Sequence, residues 1–337
     1  MLKSISVIVP NYNGREILGN CLDSLFNHDR TPDQVVVVDN GSSDGSTESV
    51  KSNFPRVHLV ELSTNTGFTG ANNAGIQAAD GELIVLLNND CIVEHGWLAS
   101  LEERMNDSTV GAVTSSMRNI ADLEVMDSAG GEIDWMGFSR DIGKGCPAIE
   151  FPQQMELPFP CGGAVMIRRS ALPDRTKLFW DDLFIYQEDL DLGFELLRNG
   201  WKVVYEPEAV VRHMHSATTG RGSFFKEQLC IRNRLLVLRK HFDHETFSKL
   251  RPVIKRWQDY WAALSLLRGR TTLFRAIVMG TSKGLSMNVP SFETGTSLNE
   301  VFARHAVFFE PVNQVKRKLY LKAKEIIMKG IPSEKSF

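Results

Sequence analysis

The sequence predicts an α/β protein with a mostly parallel central sheet flanked by helices, followed by a helical, basic C-terminal region. Apolar runs alternate with segments of helical spacing over the first 90 residues, and polar or turn residues follow each run. Such alternation is typical of parallel sheets, because parallel strands need a crossover connection. A chain of 337 residues exceeds one hydrophobic core, so we expect two regions, residues 1–235 and 236–337.

The elements are predicted in a definite order from apolar spacing and turn residues. Strands are expected at residues 5–10, 35–38, 57–62 and 83–87, with helices at 16–27, 46–53 and 69–79. Loops and short hairpins are expected over 115–158, then a strand at 164–168, a helix at 187–198, and short strands at 202–205 and 209–212. The C-terminal region is predicted to contain helices at 224–242, 245–267 and 313–329.

Charge is distributed unevenly along the chain. Residues 1–210 carry 15 Lys/Arg against 32 Asp/Glu, whereas residues 211–337 carry 23 against 9. Either each half simply has its own solvated surface, or the basic half faces an anionic partner such as phospholipid, polyprenyl phosphate or nucleic acid. An aromatic and apolar stripe at helical spacing near Trp257 and Trp261 has two interpretations: packing on protein or lying on an anionic membrane.

Cysteine usage and hydropathy limit the class of protein. The five cysteines are scattered without a CxxC pair, which argues against a disulfide framework and against structural zinc. The apolar segment at the N-terminus is too short for a signal peptide, and no run of about 18 apolar residues occurs. We therefore expect a cytoplasmic protein, with peripheral association with the inner face of the membrane as an alternative.

Polar residues follow the predicted strands at the edge where ligands of open parallel sheets collect. Asn88, Asn89 and Asp90 come directly after the strand at 83–87 and offer the oxygen atoms that Mg²⁺ or Mn²⁺ prefers. Asp39 ends the second strand beside a Gly/Ser turn, where a carboxylate can accept hydrogen bonds from a ribose or a base. Asn65 and Gly67 precede a helix whose first N–H groups predict an anion or nucleotide cradle. Each segment alone is also consistent with an ordinary turn.

Two later motifs add titratable groups. The first turn of a predicted helix contains Glu188, Asp189 and Asp191. Acidic side chains at this end of a helix also interact favourably with the helix dipole without any catalytic role. One of them could serve as a general base towards a sugar hydroxyl. His213 and His215 flank one residue at a strand end and are candidates for binding a metal or a diphosphate.

Taken together, these motifs resemble glycosyltransferase family 2, the inverting GT-A nucleotide-sugar transferases, and its rhamnosyltransferase-like branch in particular. The resemblance covers about residues 1–235. The matching stretches are VIVPNYN (7–13), VVDNGSSDG (37–45), NTGF (65–68), NNAG (72–75), LNND (87–90), CGGA (161–164), EDLDL (188–192) and YEPEA through His213 (205–213).

The resemblance implies a role for each matched position. Asp189 would be the catalytic base, supported by Glu188, and Asp90 with His213 would hold a divalent metal, Mg²⁺ or Mn²⁺. The first acidic position of the family's metal motif is Asn88 here, which removes one negative charge. The residues implied to contact the nucleotide are Pro10, Asn11, Asp39, Asn65, Gly67, Asn88 and Asn89.

The resemblance also implies the partners and the reaction. The donor would be a nucleoside-diphosphate sugar, with rhamnose as the first expectation, and the acceptor a saccharide or a polyprenyl-linked glycan of the cell surface. We expect no nucleic-acid partner, and the C-terminal region could contact a membrane or a second subunit. A metal-dependent sugar nucleotidyltransferase and a non-catalytic carbohydrate- or membrane-binding scaffold remain alternatives. A dinucleotide oxidoreductase is weaker, because no GxGxxG follows the first strand.

Overall fold

The computed structural model describes residues 3–28, 30–172, 174–214, 223–290, 295–307, 309 and 314–331. The chain divides into two compact units, which we describe separately. Unit 1 comprises residues 1–131, 141–196 and 200–216, and unit 2 comprises 132–140, 197–199 and 217–337. The boundary that we predicted at residue 235 falls within a helix of unit 2, at Phe224–His241.

Unit 1 alternates strands and helices in its first hundred residues. Its helices are α1 (Arg15–Phe26), α2 (Ser46–Asn53), α3 (Gly67–Ala78), α4 (Trp97–Arg104) and α5 (Glu188–Arg198). Its strands are β1 (Ile5–Asn11), β2 (Gln34–Asp39), β3 (His58–Glu61), β4 (Leu83–Leu87), β5 (Cys91–Val93), β6 (Val110–Asn119) and β7 (Asp122–Ser128). After β8 (Gly131–Asp134) and β9 (Ser139–Asp141), which lie mainly in unit 2, come β10 (Met155–Glu156), β11 (Ala164–Arg168) and β12 (Lys202–His213).

The main sheet confirms the predicted parallel centre. Its strands lie in the order β10-β12-β6-β11-β4-β1-β2-β3, with β5 paired to β12 and β7 paired to β6. The pairs β4–β1, β1–β2 and β2–β3 are parallel, and so is β12–β6. Strand β11 is antiparallel to both of its neighbours, β4 and β6. The carboxyl ends of β1, β2 and β4 therefore meet at one edge.

Helices cover both faces of this sheet, as the sequence predicted. On one face, Val7 and Val85 belong to the same buried cluster as Leu22 of α1 and Leu101 of α4. On the other face, α3 approaches so closely that a Cβ on Gly75 would lie 2.3 Å from a methyl carbon of Ile8. Burial on both faces explains why the central strands read as continuous apolar runs.

The second half of unit 1 differs from the prediction. Residues 115–158 were expected to form loops and short hairpins, but β6 is a ten-residue strand whose first eight residues are buried. The centre of β6 is polar, so the strand shows no apolar pattern in the sequence. Three buried hydroxyl groups there accept hydrogen bonds: Cys161 N donates to Thr114, Trp97 Nε1 to Ser115, and Tyr205 OH to Ser116. The two short strands expected around residue 207 are one strand, β12, with a bulge between Glu206 and Val210.

Unit 2 is mainly helical. It contains α6 (Phe224–His241), α7 (His244–Leu267), α8 (Thr271–Ser286), α9 (Leu298–His305) and α10 (Gln314–Lys329), with β13 (Ala306–Val307) in a small sheet of order β13-β8-β9. Helices α6, α7 and α10 were predicted, whereas α8 and α9 were not. Glycine and threonine weaken helical propensity, and α8 uses Gly280 and Gly284 to pack closely on α6. None of the helices in the described ranges is both long and apolar enough to cross a membrane.

Candidate functional site

The polar residues predicted at the sheet edge form one hydrogen-bonded network centred on Asn11. Asn11 and Asp39 are paired residues at the ends of β1 and β2. The Asn11 side-chain nitrogen donates to Asp39 Oδ1 at 3.3 Å and to Ser46 Oγ at 3.0 Å, and its oxygen accepts from Asn89 Nδ2 at 2.8 Å. Asn11 thus links the end of β2 to the turn after β4. Pro10, beside it, is partly exposed.

The side chain of Asp39 is held in a fixed orientation. It is 5% exposed, and its Oδ2 accepts a hydrogen bond from the backbone N–H of Ser42 at 3.0 Å. The Ser42 hydroxyl in turn accepts from the N–H of Asn13, a residue whose φ of 50° lies in the left-handed region. These contacts build a rigid polar wall next to the ends of β1 and β2.

The loop before α3, predicted as an anion or nucleotide cradle, uses several of its polar groups in contacts within the protein. The side-chain oxygen of Asn65 accepts from the Gly67 N–H at 2.8 Å, and the Thr69 N–H donates to the carbonyl of Phe184 at 3.1 Å. A Cβ on Gly67 would lie 2.4 Å from the same Phe184 oxygen. Two of the N–H groups expected to face a ligand, those of Gly67 and Thr69, are therefore directed at protein, and Gly67 permits close approach to the loop before α5. Asn65 itself is exposed.

Asp90 lies in a buried group of metal-ligand type. Asp90 Oδ1 is 3.4 Å from His213 Nε2, and the opposite nitrogen, Nδ1, is 2.5 Å from Asp127 Oδ2. Ligand atoms of Asp90, Cys91 and His213 all lie within 4.8 Å of one another. A histidine oriented by a carboxylate on one nitrogen and presented on the other is the usual arrangement around protein-bound metals. His215 lies outside the described residues.

The charge states in this group favour Asp90 and His213 as ligands for a hard cation. Burial alone would lower the pKa of His213, but hydrogen bonds to Asp127 and Asp90 and the charges of both carboxylates raise it to about 9. His213 is thus protonated at neutral pH, and a divalent cation could supply the positive charge in place of this proton. Burial raises the pKa of the Cys91 thiol well above its usual value, so Cys91 stays neutral and is a poor ligand for Mg²⁺ or Mn²⁺.

Glu188 and Asp189 form a second acidic group at the start of α5. Burial raises the pKa of both carboxyl groups, and the charge of Asp189 raises that of Glu188 further. Backbone N–H groups of Leu190 and Gly162 oppose the effect at Asp189, whose Oδ1 accepts from Leu190 N at 2.8 Å. This is the environment expected of a carboxylate that exchanges a proton near neutral pH.

The backbone before these two acids is strained. The backbone φ angles of Phe184, Tyr186 and Gln187 are 64°, 72° and 69°, values that residues other than glycine rarely adopt. Such strain persists only where surrounding contacts enforce it, and it concentrates at functional sites. Here it fixes the direction in which α5 presents Glu188 and Asp189.

Two consecutive glycines connect the acidic pair to the edge of the sheet. A Cβ on Gly162 would lie 3.7 Å from Asp189 Cβ, and a Cβ on Gly163 would lie 3.1 Å from Asn88 Nδ2. The Asn88 N–H also donates to the Gly163 carbonyl at 2.9 Å. The predicted positions 39, 88–90, 189 and 213 thus belong to one contiguous region of unit 1 rather than to separate faces.

Asp127 was not predicted, although it is 8% exposed and orients His213. It is the next-to-last residue of β7, within the stretch expected to form loops and hairpins, and His213 comes 86 positions later. Once β7 is recognised as a strand, an acid near its end is a signal like those that identified Asp39 and Asp90.

Comparison with known proteins supports the protein family that the sequence motifs resemble. A family model described as glycosyl transferase family 2 matches residues 6–176, and a related one, glycosyl transferase family group 2, matches residues 135–295. An N-acetylglucosaminyltransferase from Neorhizobium galegae is 27% identical over 287 residues, covering 80% of this chain and 64% of its own. The chain therefore spans less than two thirds of that relative.

Two further proteins extend the comparison. An N-acetylglucosaminyl-diphospho-decaprenol L-rhamnosyltransferase from Mycobacterium tuberculosis is 27% identical over 245 residues, covering 66% of this chain and 79% of its own. The crystal structure of GalNAc-T7 with UDP, GalNAc and Mn²⁺ matches with a TM-score of 0.60 at 20% identity, over 76% of this chain and 51% of that one. The structural match supports the GT-A fold.

Proposed function

The chain belongs to glycosyl transferase family 2, and on that premise we propose that it transfers a sugar from a nucleoside diphosphate to an acceptor hydroxyl, with inversion at the anomeric carbon. The observation that carries the proposal is the arrangement of two unlike acidic groups in unit 1. Asp90 lies against a cationic imidazole, whereas Glu188 and Asp189 lie across Gly162 and Gly163 from Asn88. One group suits a cation, and the other suits a proton.

Donor recognition is assigned to the network around Asn11. Asp39, fixed by Asn11 and Ser42, would accept hydrogen bonds from the base or ribose, and Pro10 would lie beside it. Asn88 and Asn89 would face the ribose or diphosphate from the turn after β4. Asn65 and Gly67 would act indirectly, by fixing the loop that contacts Phe184.

Asp90 and His213 would hold a divalent metal, since an oxygen and a nitrogen ligand lie close together with Asp127 behind the imidazole. The solved relative with Mn²⁺ supports this assignment. When bound, the metal supplies positive charge against the developing charge of the departing diphosphate. Because Asn88 adds no charge, Asp90 would be the only carboxylate of this turn to do so.

Asp189 would act as the general base. It takes the proton of the acceptor hydroxyl while that oxygen bonds to the anomeric carbon, and the bond from that carbon to the diphosphate breaks on the opposite side. Burial also raises the pKa of Glu188, so this carboxyl group would stay protonated and leave Asp189 as the charged member of the pair. Glu188 would form a hydrogen bond to the acceptor. A positioned base of this kind contributes roughly 10²–10⁴ in rate.

The substrates are proposed from the relatives. The decaprenol-linked rhamnosyltransferase supports a deoxyhexose donor and a polyprenyl-diphosphate acceptor in cell-surface polysaccharide synthesis. Unit 1 would carry the transfer reaction. Unit 2, which holds most of the basic residues, would bring the protein to the membrane that contains such an acceptor.

Thermal shift with a panel of nucleoside diphosphates and their sugars, with and without Mn²⁺, tests donor binding. A ligand at about 100 times its Kd stabilises the fold by about 2.7 kcal/mol, which such a shift detects. We expect one nucleotide to stand out and to need the metal. Product analysis then decides the reaction: release of a nucleoside diphosphate supports glycosyl transfer, whereas release of pyrophosphate identifies a nucleotidyltransferase and overturns the proposal.

A further inference from the structure

Unit 2 carries most of the exposed large apolar side chains of the described residues. Ten of the twelve lie there, and only Tyr12 and Ile149 belong to unit 1. Large apolar side chains that stay in water often mark an interaction surface when they cluster. In unit 2 the most exposed of them is Leu267, at 84%.

Three of these ten residues, Tyr260, Leu266 and Leu267, lie where α7 ends and α8 begins, over residues 260–275, which we call the α7–α8 tip. Leu266 is 50% exposed, and Tyr260 and Ala263 are exposed further back along α7. Tyr260, Ala263 and Leu267 are spaced by three and four residues, so they share one face of the helix. This stripe ends at the two leucines.

The α7–α8 tip is an ordered turn. The N–H of Arg268 donates to Leu264 O at 3.1 Å, that of Gly269 to Leu266 O at 3.0 Å, and that of Arg270 to Ser265 O at 2.9 Å. Gly269 supplies the left-handed φ of 69° that such a helix ending needs. The two leucines are therefore presented by a fixed backbone.

Packing within unit 2 does not explain the exposed leucines. Other side chains of the α7–α8 tip, Trp261, Leu273 and Phe274, pack against the small core of Ile231, Ala262 and Ile277. Leu266 and Leu267 are not part of this core and are 50% and 84% exposed, so replacing them removes little from it.

Along the sequence, the charged residues of the α7–α8 tip have one sign. No acidic residue occurs between Asp259 and Glu293, while Arg268 and Arg270 immediately follow the leucines. Arg275 is exposed one turn into α8, beside the exposed Val278 and Met279. Exposed apolar side chains next to exposed arginines complement a bilayer whose surface carries anionic head groups.

We propose that the α7–α8 tip docks on an anionic membrane, with Leu266 and Leu267 inserted at the interface and Arg268, Arg270 and Arg275 against lipid phosphates. The inference rests on the proposed function only for its purpose, which is to hold the enzyme at the surface where a polyprenyl-linked acceptor lies. The basic helix α10 is less suited, because its exposed Leu321 stands among charged residues that include Glu325, paired with Lys322 and Lys329.

Vesicle co-sedimentation without donor or acceptor tests the docking separately from catalysis. The full chain is mixed at low salt with vesicles of phosphatidylcholine, with or without about 30% phosphatidylglycerol as the anionic component. We expect binding to the anionic vesicles alone, weakening as salt rises. Leu266→Ser with Leu267→Ser should weaken the binding at least about tenfold, and Arg268→Ser with Arg270→Ser about fivefold per arginine.

Leu321→Ser is the matched control, because Leu321 is 53% exposed against 50% for Leu266 and also lies in a basic helix. It should bind vesicles as the unchanged protein does, and circular dichroism should show the same fold for all variants. Absence of wild-type binding to anionic vesicles at low salt overturns the proposal and leaves the transfer activity untouched. An equal loss in Leu321→Ser, or leucine variants that dissociate an oligomer without changing vesicle binding, overturns it too.

Discussion

The two acidic groups of unit 1 differ in what surrounds them, and the difference separates their chemistry. Asp90 and Asp127 share His213, whose pKa their charges raise to about 9, so this group already contains a positive charge. Burial raises the pKa of both Glu188 and Asp189, and a neighbouring charge raises each one further: that of Asp189 for Glu188, and that of Asp141 for Asp189. In the proposed reaction the first group would hold a cation, and the second would take a proton.

Removing the charge of Asp189 tests its proposed role as the general base and should have the largest effect. In Asp189→Asn we expect the transfer rate to fall by roughly 10²–10⁴, because an amide cannot take the proton of the acceptor. Donor binding, measured by calorimetry, should stay unchanged, since Gly162 and Gly163 separate Asp189 from Asn88. Asp182→Asn, an exposed acid nearby, is the control. Near-normal turnover in Asp189→Asn would remove Asp189 from the role.

Removing the charge of Asp90 tests the cation side. In Asp90→Asn we expect Mn²⁺ binding, followed by calorimetry, to be lost and the rate to fall by roughly 10²–10³, the loss typical when one electrostatic stabiliser is removed. Asp122→Asn, at an exposed position of unit 1, should change neither quantity. Full activity of the unchanged protein in excess chelator would contradict the assignment.

Asp127 should act through His213 and not by contact with substrate. In Asp127→Asn we expect metal affinity to drop by roughly 10–100-fold, because the imidazole loses the carboxylate that orients it. The rate should recover at high Mn²⁺ concentration. A loss that added metal does not rescue would indicate a merely structural role.

The smallest expected effect concerns stability at the proton site. The pKa of Glu188 is raised in the fold, so its carboxyl group makes the folded state less stable as pH rises from the unfolded pKa to the raised folded one. Glu188→Gln lacks this loss. We expect it to be more stable than the unchanged protein by about 1 kcal/mol near neutral pH, or about 2–4 °C in Tm. Thermal melts should show a smaller gap at acidic pH, and a gap independent of pH would refute the explanation.

The sequence predicted those parts of the molecule that depend on local patterns. Strands β1, β2 and β4 follow from apolar runs, and the polar residues after them, from Asp39 to Asp90, follow from where such strands end. The positions that were missed depend on contacts between distant residues. Asp127, which was missed, gains its role from its contact with His213, 86 positions further along the chain. Gly67 was predicted, but its close approach to Phe184 could not be seen in the sequence.

The same limit explains the errors in the second half of unit 1. The hydroxyl groups of Thr114, Ser115 and Ser116 look like loop residues in a sequence, because their partners on other elements cannot be seen there. Pro207 looks like a break between two strands, but the bulge between Glu206 and Val210 lets β12 continue. Tertiary hydrogen bonds overrode local propensity in both places.

Gly162 and Gly163 have no side chains, so only their backbone lies between Asp189 and Asn88 at this point of the site. A methyl group added at Gly163 would meet Met117 Cε at 3.0 Å and Asn88 Nδ2 at 3.1 Å. In the proposed mechanism these two buried glycines lie between the donor and the acceptor. In a saturation-mutagenesis screen we expect both positions to tolerate few replacements, and any active variant with a larger side chain would be a starting point for enzymes with altered acceptor reach.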